Sequence, residues 1–512
     1  TKMNGSESKS LAVIGGAASS KLRDAIFPVY GRNEIIKFLL LGSMKFFIIM
    51  VLTLTRDTKD TLIVTQCGAE AIAFLKIYGV LPSAVAFTAI YSKASNILSK
   101  QALFYSTCIP FFIFFLAYDF LIRPNISFLE PSVETVKSII GSSTSDVIAN
   151  ILSHWTSALF FVVAEIYSSV SIGILFWKTA NDLVSPKEAQ RFYPLFAYTS
   201  GFGPILAGQY VARYASLAPN FDGSIRRLTA AITLSGVMIL FLNHSVTNYV
   251  AANESASTKN ASKGKDGGAV KKSKPKMTAG ESVKFLASSQ YLRCLATLVI
   301  SYGLMYNFTE ISWKSLLKKK YPDALDYQRF MGNFSSIVGA STFAVIFCGS
   351  NLIKHLGWRI GSAATPLVMA TVSIPFFIML IFMDLSNPTI LGQAVSVGTA
   401  LILLSRSFKY GMFDATTQMA YIPLDEESKV KGKAAIDVLG SRLGKSGASF
   451  VQQGLVLAFG NIINAAPVIG ILYYSIAASW LSAVYTLGRL YESMTQSNPS
   501  TAGKKAGKGK RS

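Results

Sequence analysis

The stretch SHWTSALFFVVAEIYSSVSIGILFW, residues 153–177, decides how this chain is read. It is almost unbroken in apolar character. As a helix it can cross the hydrocarbon core of a bilayer, which takes about 20 residues. One carboxylate, Glu165, sits near its middle. A charge at that depth costs ~2.5–3.5 kcal/mol even on insertion scales. Its side chain must therefore face protein, water or an ion, or stay protonated. A membrane helix that keeps such a group belongs to a protein that moves something polar.

The composition agrees. The 512 residues are 51% hydrophobic and 15% charged, with mean hydropathy +0.41. A soluble protein carries about 25% charged residues, so a water-exposed globule is excluded and a polytopic membrane protein is predicted. Windows of about 19 residues place twelve spans. The first six lie near 35–55, 71–91, 102–122, 154–177, 192–213 and 228–249. The second six lie near 288–310, 334–354, 362–383, 389–408, 433–459 and 466–488. Both tails and the loops after even-numbered spans are basic, which puts both termini on one cytosol-like face. The segment 314–329 departs from this rule, with Lys314, Lys318, Lys319, Lys320 and Arg329 on the opposite face, as expected if part of it faces a water-filled cavity.

The expected fold class is therefore all-α, with twelve transmembrane helices in two six-helix halves, major-facilitator-like. The expected organisation is a basic tail at 1–33, a six-helix bundle at 34–250, a basic cytosol-side linker at 251–282, a second bundle at 283–490 and a basic tail at 491–512. Each half begins with a span that ends in a charged cluster, LTRDTKD at 54–60 and FTEISWK at 308–314.

The net charge of +22 is concentrated in the tails and the linker. The lysine run at 259–276 and the run KKAGKGKR at 504–511 carry no interleaved aromatic residues to stack bases, so no nucleic-acid partner is expected. Four scattered cysteines without CxxC, and three histidines, predict no metal site. The apolar patch LAVIGGAA at 11–18 is too short for a signal peptide. GKS at 444–446 resembles the end of a P-loop, but Leu439 stands where that motif requires glycine. No GxSxG or His-based triad is present, so neither an enzyme nor a cofactor is expected.

The informative residues are the charges inside the spans. Lys76 lies in span 2, Glu165 in span 4, and Glu310 closes span 7 after Tyr302, Tyr306 and Asn307. In span 11, Asp437, Ser441, Lys445, Ala448 and Gln452 fall on one helical face. Gly440, Gly444 and Gly447 beside that stripe allow close helix approach. Structural ion pairs, Lys76 or Lys445 against Glu165 or Glu310, are the alternative to a transport site. Four such charges cost roughly 10 kcal/mol at the insertion rate, much for packing alone. Lys45 in span 1 is expected to snorkel to the interface.

Several stretches then carry a resemblance: TRDTKDTL (55–62), AEAIAFLK (69–76), KQALFYST (100–107), AEIYSSVSIGILFW (164–177), RFYPLF (191–196), KPKM (274–277), KFLASSQYLR (284–293), NFTEISWKS (307–315), MAYIPLDEESKVKGKAAIDVLGSRLGKSG (419–447) and FGNIINAAP (459–467). Over roughly 27–490 the chain resembles the nucleotide transporter family, the ATP/ADP translocases of plastids and of obligate intracellular bacteria. It looks most like the plastid-envelope members of algae. The resemblance implies counter-exchange of ATP, or other nucleoside triphosphates, for ADP or ADP plus phosphate across the plastid inner envelope. It also implies that Lys76, Glu165, Glu310 and Lys445 serve transport. Arg56, Lys59 and Arg442 are further phosphate candidates, and Tyr302, Tyr306 and Asn307 are candidates for the base. Where plant members read CNPLGKSG this chain reads GSRLGKSG, so Arg442 adds a cation beside Lys445. Two rival readings stand beside this one: a proton-coupled nucleotide importer, and a membrane protein that binds nucleic acid or anionic lipid through its basic runs without transporting.

Overall fold

The computed structural model describes residues 29–141, 145–260, 279–425, 428–429, 431–433, 435–436 and 443–497. Most of the two basic tails and of the linker, together with Asp437, Ser441 and Arg442, lies outside the described residues. All regular structure among the described residues is helical. This follows from the solvent: hydrocarbon offers no partner for backbone N–H and C=O, so a spanning segment must satisfy them within itself.

The first half comprises α1 (Gly31–Cys67), α2 (Ala71–Ile97), α3 (Lys100–Leu129), two short amphipathic helices α4 (Val133–Ile140) and α5 (Asp146–Ser153), α6 (Trp155–Val170), α7 (Pro186–Arg213) and α8 (Phe221–Asn260). The second comprises α9 (Ala279–Ser288), α10 (Gln290–Lys320), α11 (324–356), α12 (Gly357–Phe382), α13 (Pro388–Met419), α14 (Ala448–Phe459) and α15 (Ala466–Ser497). The break between α11 and α12 is at Gly357, whose φ of 82° lies in the left-handed region that glycine adopts without strain.

Each expected span falls on helix, the eleventh only where it is described. Seven helices among the described residues are long and apolar enough to cross a membrane, and an eighth crossing forms if α5 and α6, bent by 85° at their junction, act together. The remaining windows are helical but more polar, because they line the contact between the halves.

The chemistry of α1 shows how a polar sequence is accommodated there. Thr55, Asp57, Thr58, Lys59, Asp60 and Thr61 are all buried. The threonine hydroxyls donate back to carbonyls one turn earlier, Thr55 to Val51, Thr58 to Leu54 and Thr61 to Asp57, at 2.7–2.8 Å. Lys45 does not snorkel. Its Nζ donates to the Phe196 carbonyl at 3.0 Å and lies 5.1 Å from the rings of Phe176 and Trp177, so it ties α1 to α7 within the bundle.

The hydrogen bonds that join the two halves gather toward the face opposite the tails. Ser315 donates to Glu70, Lys318 to the Thr65 carbonyl, Ser224 to Gln328, Ser335 to Asp57 and Gln453 to the Ala73 carbonyl. Between α7 and α11, a Cβ placed on Gly332 would lie 2.7 Å from the Gly208 carbonyl oxygen. Only glycine permits that backbone approach. The far face is thus sealed by helices in backbone contact.

Candidate substrate site

Below this seal lies a polar cavity of about 460 Å³ between the halves. Six cations line it, Arg56, Lys59, Lys76, Lys314, Arg406 and Lys409, against four carboxylates, Asp60, Glu165, Glu310 and Asp414. Net positive charge therefore remains in the cavity.

The charges form a chain across the cavity. Lys59 pairs with Glu165 at 2.9 Å and with Asp60 at 2.7 Å. Asp60 is also held across the half boundary by Lys314 at 2.8 Å. Lys314 reaches Glu310 one turn earlier on α10, at 3.2 Å, and Glu310 pairs with Arg406 of α13 at 3.1 Å. Tyr306 donates to Glu310 at 2.9 Å and accepts from Arg406 Nε at 2.7 Å. Lys59 also sits 4.2 Å from the Phe161 ring. Each buried charge in this chain has opposite charge within reach, which low-dielectric surroundings demand.

The sequence-predicted residues are gathered here, with different partners. Lys76, Glu165 and Glu310 all line the cavity, as do Arg56, Lys59, Tyr302, Tyr306 and Asn307. The expected pairs of Lys76 with the two glutamates are not formed: Glu165 pairs with Lys59, and Glu310 with Lys314 and Arg406, while the expected Lys445 pairs lie outside the described side chains. Lys76 instead donates to Asn307 Oδ1 at 2.6 Å, and Gln452 donates to the Asn307 carbonyl at 2.9 Å. Tyr302 is stacked between Tyr306 and Phe413, at 5.8 and 5.3 Å, with Trp480 edge-on at 6.2 Å. Nothing is described of the Lys445 side chain or of Arg442. The Lys445 backbone lies in a π turn, and neighbouring Gly444 meets Gly303 of α10 so closely that a Cβ on Gly303 would be 2.8 Å from the Gly444 Cα.

Asp60, Arg406, Lys409 and Asp414 were not singled out from sequence, and Lys314 was named only within the basic segment 314–329, of which part was expected to face a water-filled cavity. Asp60 and Lys314 belong to the two charged clusters that close the first spans, and that symmetry was the available signal. Three π turns also mark the site: Leu75–Val80 holds Lys76, Lys409–Phe413 holds Lys409, and Leu443–Gly447 holds Lys445. A π turn widens the helix and re-aims side chains, often at functional positions.

Two packed helical halves around a buried, net-positive, ion-paired cavity define a membrane transporter for an anion. The fold is that of major-facilitator-like transporters. The inward-open xylose transporter XylE from E. coli matches with TM-score 0.54 at 11% identity, over 88% of this chain and 94% of that one. A structure of a D-xylose–proton symporter matches with TM-score 0.53 at 12% identity, over 88% and 97%. The family model "TLC ATP/ADP transporter" matches residues 15–491, and the chain belongs to that family. It is 40% identical over 490 residues to ADP,ATP carrier protein 1 of Chlamydia trachomatis, covering 92% of this chain and 91% of the relative. It is 38% identical over 476 residues to the chloroplastic ADP,ATP carrier protein 1 of Arabidopsis thaliana, covering 90% and 74%. The plastidic ATP/ADP-transporter of Solanum tuberosum is likewise 38% identical, over 478 residues covering 90% and 74%.

Proposed function

We propose that this multi-pass membrane protein exchanges ATP for ADP by alternating access, with the polyphosphate held by the cations of the central cavity. The observation that carries this reading is the chain of ion pairs Glu165–Lys59–Asp60–Lys314–Glu310–Arg406, which spans the boundary between the halves. A nucleoside triphosphate brings nearly four negative charges. Its phosphates would compete with Asp60, Glu165 and Glu310 for Lys59, Lys314 and Arg406. Lys76, held by the neutral Asn307, and Arg56, which lines the cavity outside the chain of ion pairs, are the cations that can be given to substrate without breaking a pair. Drawing Lys314 from Asp60 removes one of the bonds that seal the far face, so binding favours the alternate state. The empty carrier re-forms the pairs. Six lining cations against four carboxylates leave net positive charge even when the pairs re-form, and returning without substrate would carry it through the closed state, which favours exchange over one-way movement. The names of the plant relatives support a plastid envelope as its membrane.

The test is uptake of labelled ATP into vesicles holding the purified protein. Internal ADP should raise uptake several-fold over empty vesicles, and an uncoupler should leave it unchanged. Equal uptake into empty vesicles that collapses with the uncoupler would replace exchange by proton-coupled import. Loading with other nucleoside triphosphates or with phosphate sets the substrate range.

A further inference from the structure

A second cavity, of about 120 Å³, shares no lining residue with the first. It lies among the tail-side ends of α2, α3, α8 and the segment Trp177–Leu183 that follows α6. Its floor is polar and unfinished. Asn243 is only 3% exposed and Thr107 only 7%, yet among the described residues neither the Asn243 carboxamide nor the Thr107 hydroxyl has a hydrogen-bond partner. Both groups line the cavity and are open to it, so each can bond to a polar ligand held there. Lys178 lines the same cavity, fixed by a 2.9 Å hydrogen bond to the Tyr91 hydroxyl. Lys100 at the rim pairs with Asp182 at 3.1 Å. That pair is neutral, so Lys178 leaves the cavity one net positive charge. Leu103, Phe104 and Leu175 form apolar wall, and the cavity is too small for a nucleotide.

We propose that this cavity binds the phosphodiester of an anionic phospholipid headgroup. A phosphodiester is a monoanion with acceptor oxygens. It matches one net cation, Lys178, and the two donors Asn243 and Thr107, while the apolar wall meets the glycerol and upper acyl chain. The position at the tail-side ends of the helices is headgroup depth. An anionic headgroup near one lysine is held several-fold more tightly than a neutral one.

The experiment uses the full-length protein, delipidated in neutral detergent, and follows its thermal unfolding. Three probes are titrated: dihexanoylphosphatidylglycerol, dihexanoylphosphatidylcholine and inorganic phosphate. The phosphatidylglycerol should raise Tm saturably, with the other two far weaker. Lys178→Gln and Asn243→Leu should each shift the midpoint of that titration at least about fivefold. Both variants should melt cooperatively, and Asn243→Leu, which removes an unpartnered polar group, near the wild-type temperature. An equal effect of phosphatidylcholine would overturn the proposal as an unselective lipid contact. An equal effect of inorganic phosphate would overturn the lipid source in favour of a free-phosphate site. An unchanged titration in either cooperatively melting variant would overturn the assignment of the cavity.

Discussion

Lys76 and Glu165 separate a transport site from a structural lattice, because they differ in what their removal leaves behind. Lys76 is held by the neutral Asn307. Lys76→Gln therefore strands no bonded carboxylate and should change Tm without ligand by little. It should abolish the rise in Tm caused by ATP and cut ATP uptake at least about tenfold, the effect of losing ~1.4 kcal/mol of binding. A large fall in Tm without ligand would instead make Lys76 a structural residue. Glu165→Gln acts oppositely. Lys59 keeps Asp60 but loses its second carboxylate, and a cation is freed for phosphate. Apparent affinity for ATP should hold or rise while turnover slows, as measured by equilibrium binding beside initial uptake rates. Weaker binding with unchanged turnover would refute the pairing role.

The contact of α10 with the π turn before α14 is an all-or-none feature of two elements. A methyl on Gly303 would lie 2.8 Å from the Gly444 Cα and 3.1 Å from its carbonyl carbon. Backbone cannot yield as a side-chain tip can. Gly303→Val should destabilise the protein by about 1–3 kcal/mol and lower Tm by several degrees, whereas wild-type Tm would show that the helices stand further apart. On the far face, the turn after α3 is tied to the start of α6 through Glu130, which pairs with His154 Nδ1 at 2.8 Å and accepts from Thr156. Burial pushes the Glu130 carboxyl up, but the hydrogen bonds from His154 and Thr156 outweigh it and hold the carboxyl below its ordinary 4.5. A depressed carboxyl contributes stability above its unfolded value and loses it as pH falls through its folded value. Tm should thus fall between about pH 6 and about pH 3, and less steeply in Glu130→Gln. Parallel pH curves for the two proteins would remove this tie from the account.

At the scale of the whole molecule, the bonds between the halves gather on the face away from the tails, while the cavity lies on the tail side of that seal. Ser168 lines the cavity and is partly exposed. Ser168→Cys, in a protein whose four native cysteines are replaced by alanine, should react with a membrane-impermeant thiol reagent added from the tail side. Reaction from the far side should be slower, and ATP should protect. Faster labelling from the far side would reverse the orientation of the open state. The same architecture accounts for the polar helices that apolarity alone does not identify as spans. α7, α10 and α11 face the opposite half or the cavity, so their polar residues meet protein and the cavity and not lipid.

Hydropathy, loop charge and burial cost are properties of short windows, and they were enough to read a helical membrane protein with Lys76, Glu165 and Glu310 at its centre. The family motifs in the 419–447 run are equally local. Partner choice is not local. Lys314 and Asp60 are 254 residues apart in sequence, and Arg406 reaches Glu310 from another helix. Which cation meets which carboxylate depends on how the halves are rotated against each other and on π turns that shift side chains partway round their helices. Neither leaves a trace in residue spacing. The sequence by itself therefore determined that these charges are buried inside a membrane, while only the tertiary structure decided which of them are paired and which face the cavity.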